Sequence, residues 1–313
     1  MKYMKSRIII ILFMLGMFAS KAQYDPSFTQ YMFNEMFINP AYAGSKDAMA
    51  VNLLHRQQWV NFPGRPITTT FSLHGPLMNN KMGLGLSVLN ESIGKLTRNL
   101  VYGSYSYRVK TDKKGTLALG LNAGFENQVN KLSELKATDQ GDVQISQNTP
   151  SMIAPNFGFG LFYSTKKFYA GLSIPRIIDN SYMFTNGGSF KQSMKFNVQT
   201  FTYYFTIGRV FEVNEYLKIK PQAMVKMVEN APLQYEMNVN FLIKSLIWAG
   251  LSYRSGSNVS VILGVQVNPQ FIVSYSYDYG LNAIQQYSQG SHEIALGYVF
   301  SYKHKKVITP RYF

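Results

Sequence analysis

The sequence predicts an all-β fold, a transmembrane antiparallel β-barrel of about 14 strands, with an N-terminal segment at its periplasmic mouth or in its lumen. Many segments alternate between apolar and small or polar residues, which is the period of a strand whose two faces meet different environments. The loops between these segments are short on one rim and generally longer on the other, as in outer-membrane barrels. The 22 tyrosines and 22 phenylalanines, against 2 tryptophans, fit aromatic girdles at two membrane interfaces.

Composition and charge exclude some other classes of protein. The 313 residues contain no cysteine, which excludes disulfide scaffolds and zinc–thiolate sites. Lysine and arginine together number 31 and the acidic residues 16, a basic balance that suits acidic partners, anionic lipid headgroups or nucleic acid. Charge alone does not choose among these three partners.

Residues 1–22 are predicted to be a secretory signal peptide. A positively charged start precedes a short apolar run at 8–19, and Ala22 stands as a small residue before the expected cleavage site. The run is short for a helix that spans a bilayer. No later segment of the sequence is an apolar run long enough to form such a helix. We therefore expect an exported chain that begins near Gln23, and export argues against a nucleic-acid partner.

Residues 23–46 do not follow the period of the strands. They are rich in aromatic and apolar side chains at mixed helical spacing, and Asn39, Pro40 and Gly44 mark turns. The segment is too aromatic for a solvated linker. We expect it to pack across the periplasmic mouth of the barrel or in its lumen, before the first strand.

Residues 47–303 are predicted to form the barrel. Alternate connections are tight turns, whereas large excursions at 129–154 and 175–196 belong to the other set. Because the strand count is even, both chain ends and the tight turns fall on the periplasmic side, where residues 304–313 form a basic tail. The candidate strands lie at about 47–58, 66–75, 81–91, 97–109, 115–128, 155–165, 167–174, 197–210, 216–227, 233–244, 246–254, 257–267, 270–279 and 292–303.

A soluble β-sandwich is the alternative to a barrel, since its strands also alternate. A sandwich gives no reason for loop length to follow the parity of the connections. Closure into a barrel satisfies every backbone group in lipid and removes the sheet edges. The parity of the loops therefore favours the barrel.

Several stretches of the chain resemble the PorP/SprF family of the type IX secretion system. The resemblance begins with DPSFTQYMFN and NPAYAG, between Asp25 and Gly44. The matches keep their order over nearly the whole predicted mature chain. The other matching stretches are HRQQW (55–59), FPGRPITTTFSLHGPL (62–77), GLGLSV (83–88), NFGFGLFY (156–163), YAGLSIPRII (169–178), WAGLSYR (248–254), YSYDY (275–279), GSHEIALGY (290–298) and PRYF (310–313).

The resemblance implies an integral outer-membrane protein and not an enzyme. Family members work with the type IX machinery in the export or surface attachment of large secreted proteins, and some are paired with gliding adhesins. Those cargo proteins carry a dedicated C-terminal domain, and other family members associate with periplasmic components that reach the peptidoglycan or the secretion motor. The stretches 129–154 and 179–215 match least, and there we expect a particular partner to be encoded.

Few residues of the sequence suggest a catalytic site. Ser72 and His74 are two apart on one predicted strand and therefore share a face, where a serine–histidine nucleophile pair is conceivable. The alternative is that both line a polar lumen, and we favour it because adjacency alone does not set the geometry of a nucleophile and its base. Asp278 and Glu293 also face the lumen by parity, where a salt bridge is favoured over catalysis. We expect no enzyme activity, no cofactor and no metal site.

The connection after the first strand contains a candidate recognition patch. Arg56 and Trp59 precede a rigid proline- and glycine-rich loop that contains Arg65, and together these residues could bind a partner. The alternative is that Trp59 belongs to the interfacial aromatic belt and the proline and glycine residues only shape the turn. We favour the belt, because the tryptophan ring has an apolar body and a wet edge.

The predicted periplasmic rim is rich in lysine. Lys113, Lys114, Lys305 and Lys306 are its strongest candidates for binding a partner. Such a rim suits outer-membrane lipid headgroups or an acidic periplasmic component of the secretion machinery, and the sequence favours neither.

Two classes of function remain. The first is an anchor that holds the C-terminal domain of an exported protein in its outer loops or lumen and meets the secretion machinery at its periplasmic face. The second is an outer-membrane diffusion channel for small or hydrophobic solutes. Expected lumen positions such as Gly83 and Gly120 carry no charge, whereas selective pores usually cluster charge at a constriction. The absence of such a charge cluster among these positions, with a bulky N-terminal segment that could fill the bore, favours the anchor.

Overall fold

The computed structural model describes residues 25–111, 115–135, 147–185 and 189–300. The predicted signal peptide over 1–22 and the predicted tail over 304–313 lie outside the described residues. No helix within the described ranges is long and apolar enough to cross a membrane.

The described residues form mostly β-strands. The strands are β1 (Ala50–Gln57), β2 (Ile67–Leu77), β3 (Met82–Ile93), β4 (Leu96–Lys110), β5 (Thr116–Asn130), β6 (Met152–Ser164), β7 (Phe168–Ile174), β8 (Ile178–Phe184), β9 (Phe190–Phe196), β10 (Tyr203–Arg209), β11 (Phe211–Glu212), β12 (Leu217–Met227), β13 (Gln234–Ile243), β14 (Ile247–Arg254), β15 (Asn258–Asn268), β16 (Phe271–Gly280) and β17 (Ser291–Val299).

Antiparallel pairing closes 14 of these strands into a ring. β1 pairs with both β2 and β17, and the strands from β2 to β7 and from β12 to β17 each pair with the next. β7 pairs with β10, and β10 pairs with β12. The short β11 follows β10 after one residue and also pairs with β12. The predicted antiparallel barrel of about 14 strands is confirmed.

The segment at 175–196, expected as a long outer loop, contains a β-hairpin. β8 and β9 form a separate two-stranded sheet outside the ring. Both arms have strand alternation, but they pair with each other and leave β7 to pair directly with β10. The strand expected at 197–210 is shorter in the structure. It begins only at Tyr203, because a 3-10 turn at Val198–Thr200 precedes β10.

Alternation along the wall places apolar side chains outward and small or polar side chains in the lumen. On β5, Leu119 and Leu121 are exposed on the outside, whereas Ala118 and Asn122 are buried inside. In an outer membrane the outward face is solvated by lipid, so this order of apolar and polar residues is that of a membrane barrel.

Both ends of the barrel chain lie on one rim, because β1 begins beside the end of β17. Tight turns at 78–81, 165–167 and 244–246 lie on this rim, which is therefore the periplasmic one. The opposite, outer rim has the longer connections and the hairpin. Two connections on the outer rim are also tight, the two-residue turn at 94–95 between β3 and β4 and the three-residue turn at 255–257 between β14 and β15.

Residues 25–46 lie inside the barrel. They form a 3-10 turn at Tyr31–Phe33, a one-turn helix at Glu35–Ile38 and a second 3-10 turn at Pro40–Tyr42. Most of their side chains are buried, and they pack with wall residues in two apolar clusters. We call residues 25–46 the lumen segment.

Two glycines of the wall make room for the lumen segment. A Cβ atom on Gly120 would lie 2.1 Å from the Ala41 nitrogen, and one on Gly83 would lie 2.1 Å from the Ala43 carbonyl oxygen. Both distances are far below van der Waals contact, so only glycine allows the segment backbone to lie this close to the wall. Gly83 and Gly120 therefore face the lumen, as expected from the sequence.

Candidate functional site

The lumen segment runs the height of the barrel. Asp25 contacts Arg98 and Arg176, which lie at the outer ends of β4 and β7. Further along, the Ala43 carbonyl accepts a hydrogen bond of 2.7 Å from the Ser106 hydroxyl, near the periplasmic end of β4. The first described residue of the segment is therefore in the outer half of the lumen, and the segment descends to the periplasmic rim before β1.

An arginine on β1 holds one side of the lumen together. Arg56 forms ion pairs with Asp278 at 2.7 Å and with Glu293 at 2.9 Å. The lumen segment joins this cluster, because the Thr29 hydroxyl donates to Asp278 at 2.8 Å and the Gln30 backbone N–H donates to Glu293 at 2.7 Å. Strands β1, β16 and β17 are thus tied to the segment through charge-assisted hydrogen bonds.

A second cluster lies on another part of the lumen wall, on β3, β4 and β5. Arg98 is fully buried and contacts Glu126 at 2.6 Å and Glu91 at 3.7 Å. Arg176 bridges the same Glu126, at 3.2 Å, to the carboxylate of Asp25. Asp25 is the contribution of the lumen segment to this network.

Asp25 stays ionised in its buried position. Burial raises the pKa of its carboxyl, but the charges of Arg176, Lys226 and Arg98 lower it further, so that the net pKa falls well below its usual range. Lys226 also donates a hydrogen bond of 3.1 Å to the backbone carbonyl of Asp25. Two arginines and a lysine therefore hold the start of the lumen segment.

The prediction that the lumen has no charge cluster is wrong. Arg56, Arg98, Arg176 and Arg254 all lie in the lumen, and each has a carboxylate partner. Gly83 and Gly120, on which the prediction relied, line a part of the wall that the lumen segment touches closely. Strand register would have revealed part of this pattern, because Glu91 is directly opposite Arg98 in the ladder.

The structure does not bring Arg56 together with Trp59 and Arg65 of the outer loop. The Arg56 side chain is only 3% exposed and points into the lumen, so it does not share an outer surface with Trp59. Trp59 lies half-buried in the loop at 58–66, where its backbone N–H donates to the Ser291 hydroxyl at 3.1 Å. Its ring packs edge-on against Phe62 at 6.3 Å, and Arg65 lies half-buried in the same loop. Partner binding by these residues stays a prediction.

The candidate rim lysines Lys113, Lys114, Lys305 and Lys306 lie outside the described residues, and their role stays a prediction. Among the described rim residues, Lys81, Lys110, Lys166 and Lys244 are exposed, as the basic rim requires.

Ser72 and His74 both face the lumen. The His74 Nδ1 atom accepts a hydrogen bond of 3.1 Å from the Gly44 backbone N–H, and the Tyr42 ring packs edge-on against the imidazole at 5.2 Å. These contacts serve to hold the end of the lumen segment. Within the described residues, no group of three or more histidine, aspartate or glutamate side chains could hold a metal ion.

Comparisons with known proteins agree with this geometry. The family model described as the type IX secretion system membrane protein PorP/SprF matches residues 20–298. Among solved structures, the chain is similar to the CymD monoaromatic hydrocarbon channel, with 11% identity, 91% of this chain and 96% of that chain covered, and a TM-score of 0.51.

Two further solved structures resemble the chain. They are the Acinetobacter baumannii outer membrane protein Omp33, with 10% identity, 81% and 98% coverage and a TM-score of 0.47, and a Pseudomonas aeruginosa FadL homologue, with 11% identity, 90% and 96% coverage and a TM-score of 0.47. At 11% identity, the likeness to CymD shows the barrel fold alone. No curated protein matches the chain.

Proposed function

Because the chain belongs to the PorP/SprF family of type IX secretion system membrane proteins, we propose that it supports export and surface anchoring of a large secreted protein through that protein's C-terminal domain. The chain is an outer-membrane β-barrel. A gliding adhesin is one kind of cargo that would suit this role. Neither the family nor the fold is enzyme-like, and we propose that the protein has no catalytic activity of its own.

The filled lumen is the observation that carries the proposal. The lumen segment packs in two apolar clusters and joins both luminal ion-pair networks. Ion pairs that are buried and hydrogen-bonded are costly to break, which favours a lumen that stays occupied. A barrel occupied in this way offers its rims and outer loops to partners, and cargo recognition then belongs to the outer face.

The periplasmic face completes the proposal. Exposed lysines on this rim would meet acidic components of the secretion machinery, or the headgroups of outer-membrane lipid. Contact with the machinery would place the barrel beside the site where cargo emerges.

A diffusion channel is the second candidate. It is favoured by the likeness of the barrel to the CymD monoaromatic hydrocarbon channel, but that likeness concerns the fold alone. The lumen segment argues against it, because a solute would have to displace buried ion pairs to pass. The two candidates differ in ion conductance, since only the channel should show a steady conductance in a lipid bilayer.

Purification from native outer membranes tests the anchor. The tagged barrel is extracted in mild detergent, and the proteins that elute with it are identified by mass spectrometry. We expect a large secreted protein with a type IX C-terminal domain, and an unrelated tagged barrel from the same membranes serves as the control. Recovery of the barrel without such a protein would contradict the proposal.

A further inference from the structure

The hairpin β8–β9 stands on the outer rim with little support from the barrel. Within the described residues, no third strand pairs with it. The side chain of Asn156 on β6 holds its base, accepting from the Ile178 N–H at 3.0 Å and donating to the Ile178 carbonyl at 2.8 Å. An isolated two-stranded hairpin is at best marginally stable in water, so this one would gain from a further strand.

One face of the hairpin is apolar and exposed. The register places Met194 opposite Asn180 and Phe196 opposite Ile178, all on the same face. Phe196 is 69% exposed and Met194 is 53% exposed. The other face has Met183, which is 48% exposed, among lysine and serine residues. The apolar face therefore presents two exposed large side chains, those of Met194 and Phe196.

The outer edge of β9 is open to backbone pairing. In an antiparallel pair, alternate residues bond across the ladder and the residues between them point their backbone groups outward. The Thr185 N–H donates to the Ser189 carbonyl at 2.8 Å, which sets this alternation and directs the backbone groups of Met194 outward. On β8, the same alternation explains why Ile178 bonds to Asn156. On its outer edge, β9 pairs with no other strand of the described residues.

We propose that the C-terminal domain of the secreted cargo adds an extended strand to the free edge of β9. The inference rests on the proposed function and names the surface that performs it. Backbone hydrogen bonds to the outward groups of β9 supply affinity, while Met194 and Phe196 receive alternate apolar side chains of the added strand. The added strand also turns a marginal hairpin into a three-stranded sheet.

Lipid is the competing occupant of the apolar face. Acyl chains of the outer leaflet could cover Phe196, but they offer no donor or acceptor to the edge of β9. A protein strand satisfies the apolar face and the backbone edge together. The two occupants therefore differ in whether the backbone N–H of β9 matters.

The test removes that N–H without removing the apolar face. Met194→Pro eliminates the outward donor, and proline is tolerated where the N–H of an edge strand faces solvent. Asn180→Pro is the matched control, because it removes the equivalent outward N–H on β8. Each variant is purified from native outer membranes, and recovery of the protein with a type IX C-terminal domain is compared with wild type. We expect Met194→Pro to lower recovery by about tenfold, the effect of losing roughly 1.4 kcal/mol, and Asn180→Pro to retain it.

A photo-crosslinking residue at Phe196 gives a second measurement that needs no change at Met194. We expect it to label the C-terminal domain of the cargo, and the same residue at Met183, on the opposite face, to label it weakly or not at all. This measurement keeps the inference testable if Met194→Pro fails to fold.

The outcomes separate the inference from the function on which it rests. If wild type recovers no such cargo, the proposed function and the inference both fail. If wild type and Met194→Pro recover it equally and Phe196 gives no crosslink, the hairpin is not the docking surface, although the anchor stands. If Phe196→Ser lowers recovery but Met194→Pro does not, contact is through side chains alone and strand addition is wrong.

Discussion

Arg56 and Asp278 form an ion pair of 2.7 Å beside the seam where the first and last strands of the barrel meet. Each side chain is 3% exposed, and the Thr29 hydroxyl of the lumen segment donates to the same carboxylate at 2.8 Å. One buried cluster thus links the closing seam of the wall to the lumen segment. Arg56 pairs with two carboxylates, and donors of the lumen segment at Thr29 and Gln30 complete their hydrogen bonds.

Loss of the Arg56 side chain should destabilise the whole barrel. Arg56→Ala leaves Asp278 and Glu293 buried without their cation, and breaking a buried pair in this way costs about 3–5 kcal/mol. The free energy of unfolding, measured in urea with the protein in lipid vesicles, reports the loss. Arg65→Ala in the outer loop is the control and should stay within about 0.5 kcal/mol of wild type. Equal stability of the two variants would show that the cluster is not structural.

Substitution of Gly120 should displace the lumen segment. A Cβ atom at this position would lie 2.1 Å from the backbone nitrogen of Ala41, so Gly120→Val forces the segment away from the wall. Overpacking of this kind costs about 1–3 kcal/mol or more. Gly103→Val is the matched control on β4, because a Cβ there meets only the Ala123 carbonyl, at 3.8 Å. Limited proteolysis of the segment should be faster in Gly120→Val alone, and unchanged rates would contradict the close contact.

The sequence predicts the wall far better than the contents of the lumen. Alternation along β5 is a local property. The outward leucines and the inward small residues can therefore be predicted from the sequence of this strand, without knowledge of the strands that pair with it. Arg56 and Arg98 also follow the alternation, but their carboxylates come from distant parts of the chain. Their pairing requires the register of several strands, and the contacts of Asp25 require the path of a segment without regular structure.

The hairpin shows a second limit of the sequence. Strand alternation over 178–196 is as clear as in the wall, and only pairing partners distinguish a strand of the ring from a strand outside it. Trp59 and Arg65 lie in an outer loop, a position that fits partner recognition and the membrane belt equally well. Arg56 is close to them in the chain, but the alternation of β1 turns its side chain inward.

Ionised Asp25 should contribute stability that disappears in acid. Its pKa in the folded protein is below the ordinary value of 3.8, so its contribution is present above that value and is lost as pH falls toward the folded pKa. Asp25→Asn should therefore be less stable than wild type at pH 7. The difference should shrink below about pH 4. Urea titrations of both proteins across this range measure it, and a difference that grows in acid would reverse the assignment.

Charge reversal at the periplasmic rim tests contact with the machinery. We expect a variant with glutamate at Lys113, Lys114, Lys305 and Lys306 to lose a periplasmic partner while the barrel still folds. Quantitative pull-down from native membranes measures the partner, and heat-modifiable migration in gels reports folding. Glutamate at the exposed outer-rim Lys95 is the control for a change in charge alone. Unchanged recovery of the partner would leave the lysines as contacts for lipid.

Conductance should separate the anchor from the channel. In planar bilayers we expect wild type to show no large steady conductance, because the lumen segment and its ion pairs fill the bore. Deletion of residues 25–46 should open a steady conductance, since the same wall then surrounds an empty polar lumen. Gly120→Val displaces the segment without shortening the chain and should show an intermediate conductance. This variant replaces the deletion variant in the test if the deletion variant does not fold. A large steady conductance of the wild type would instead favour the channel, because solute would then pass beside or in place of the segment.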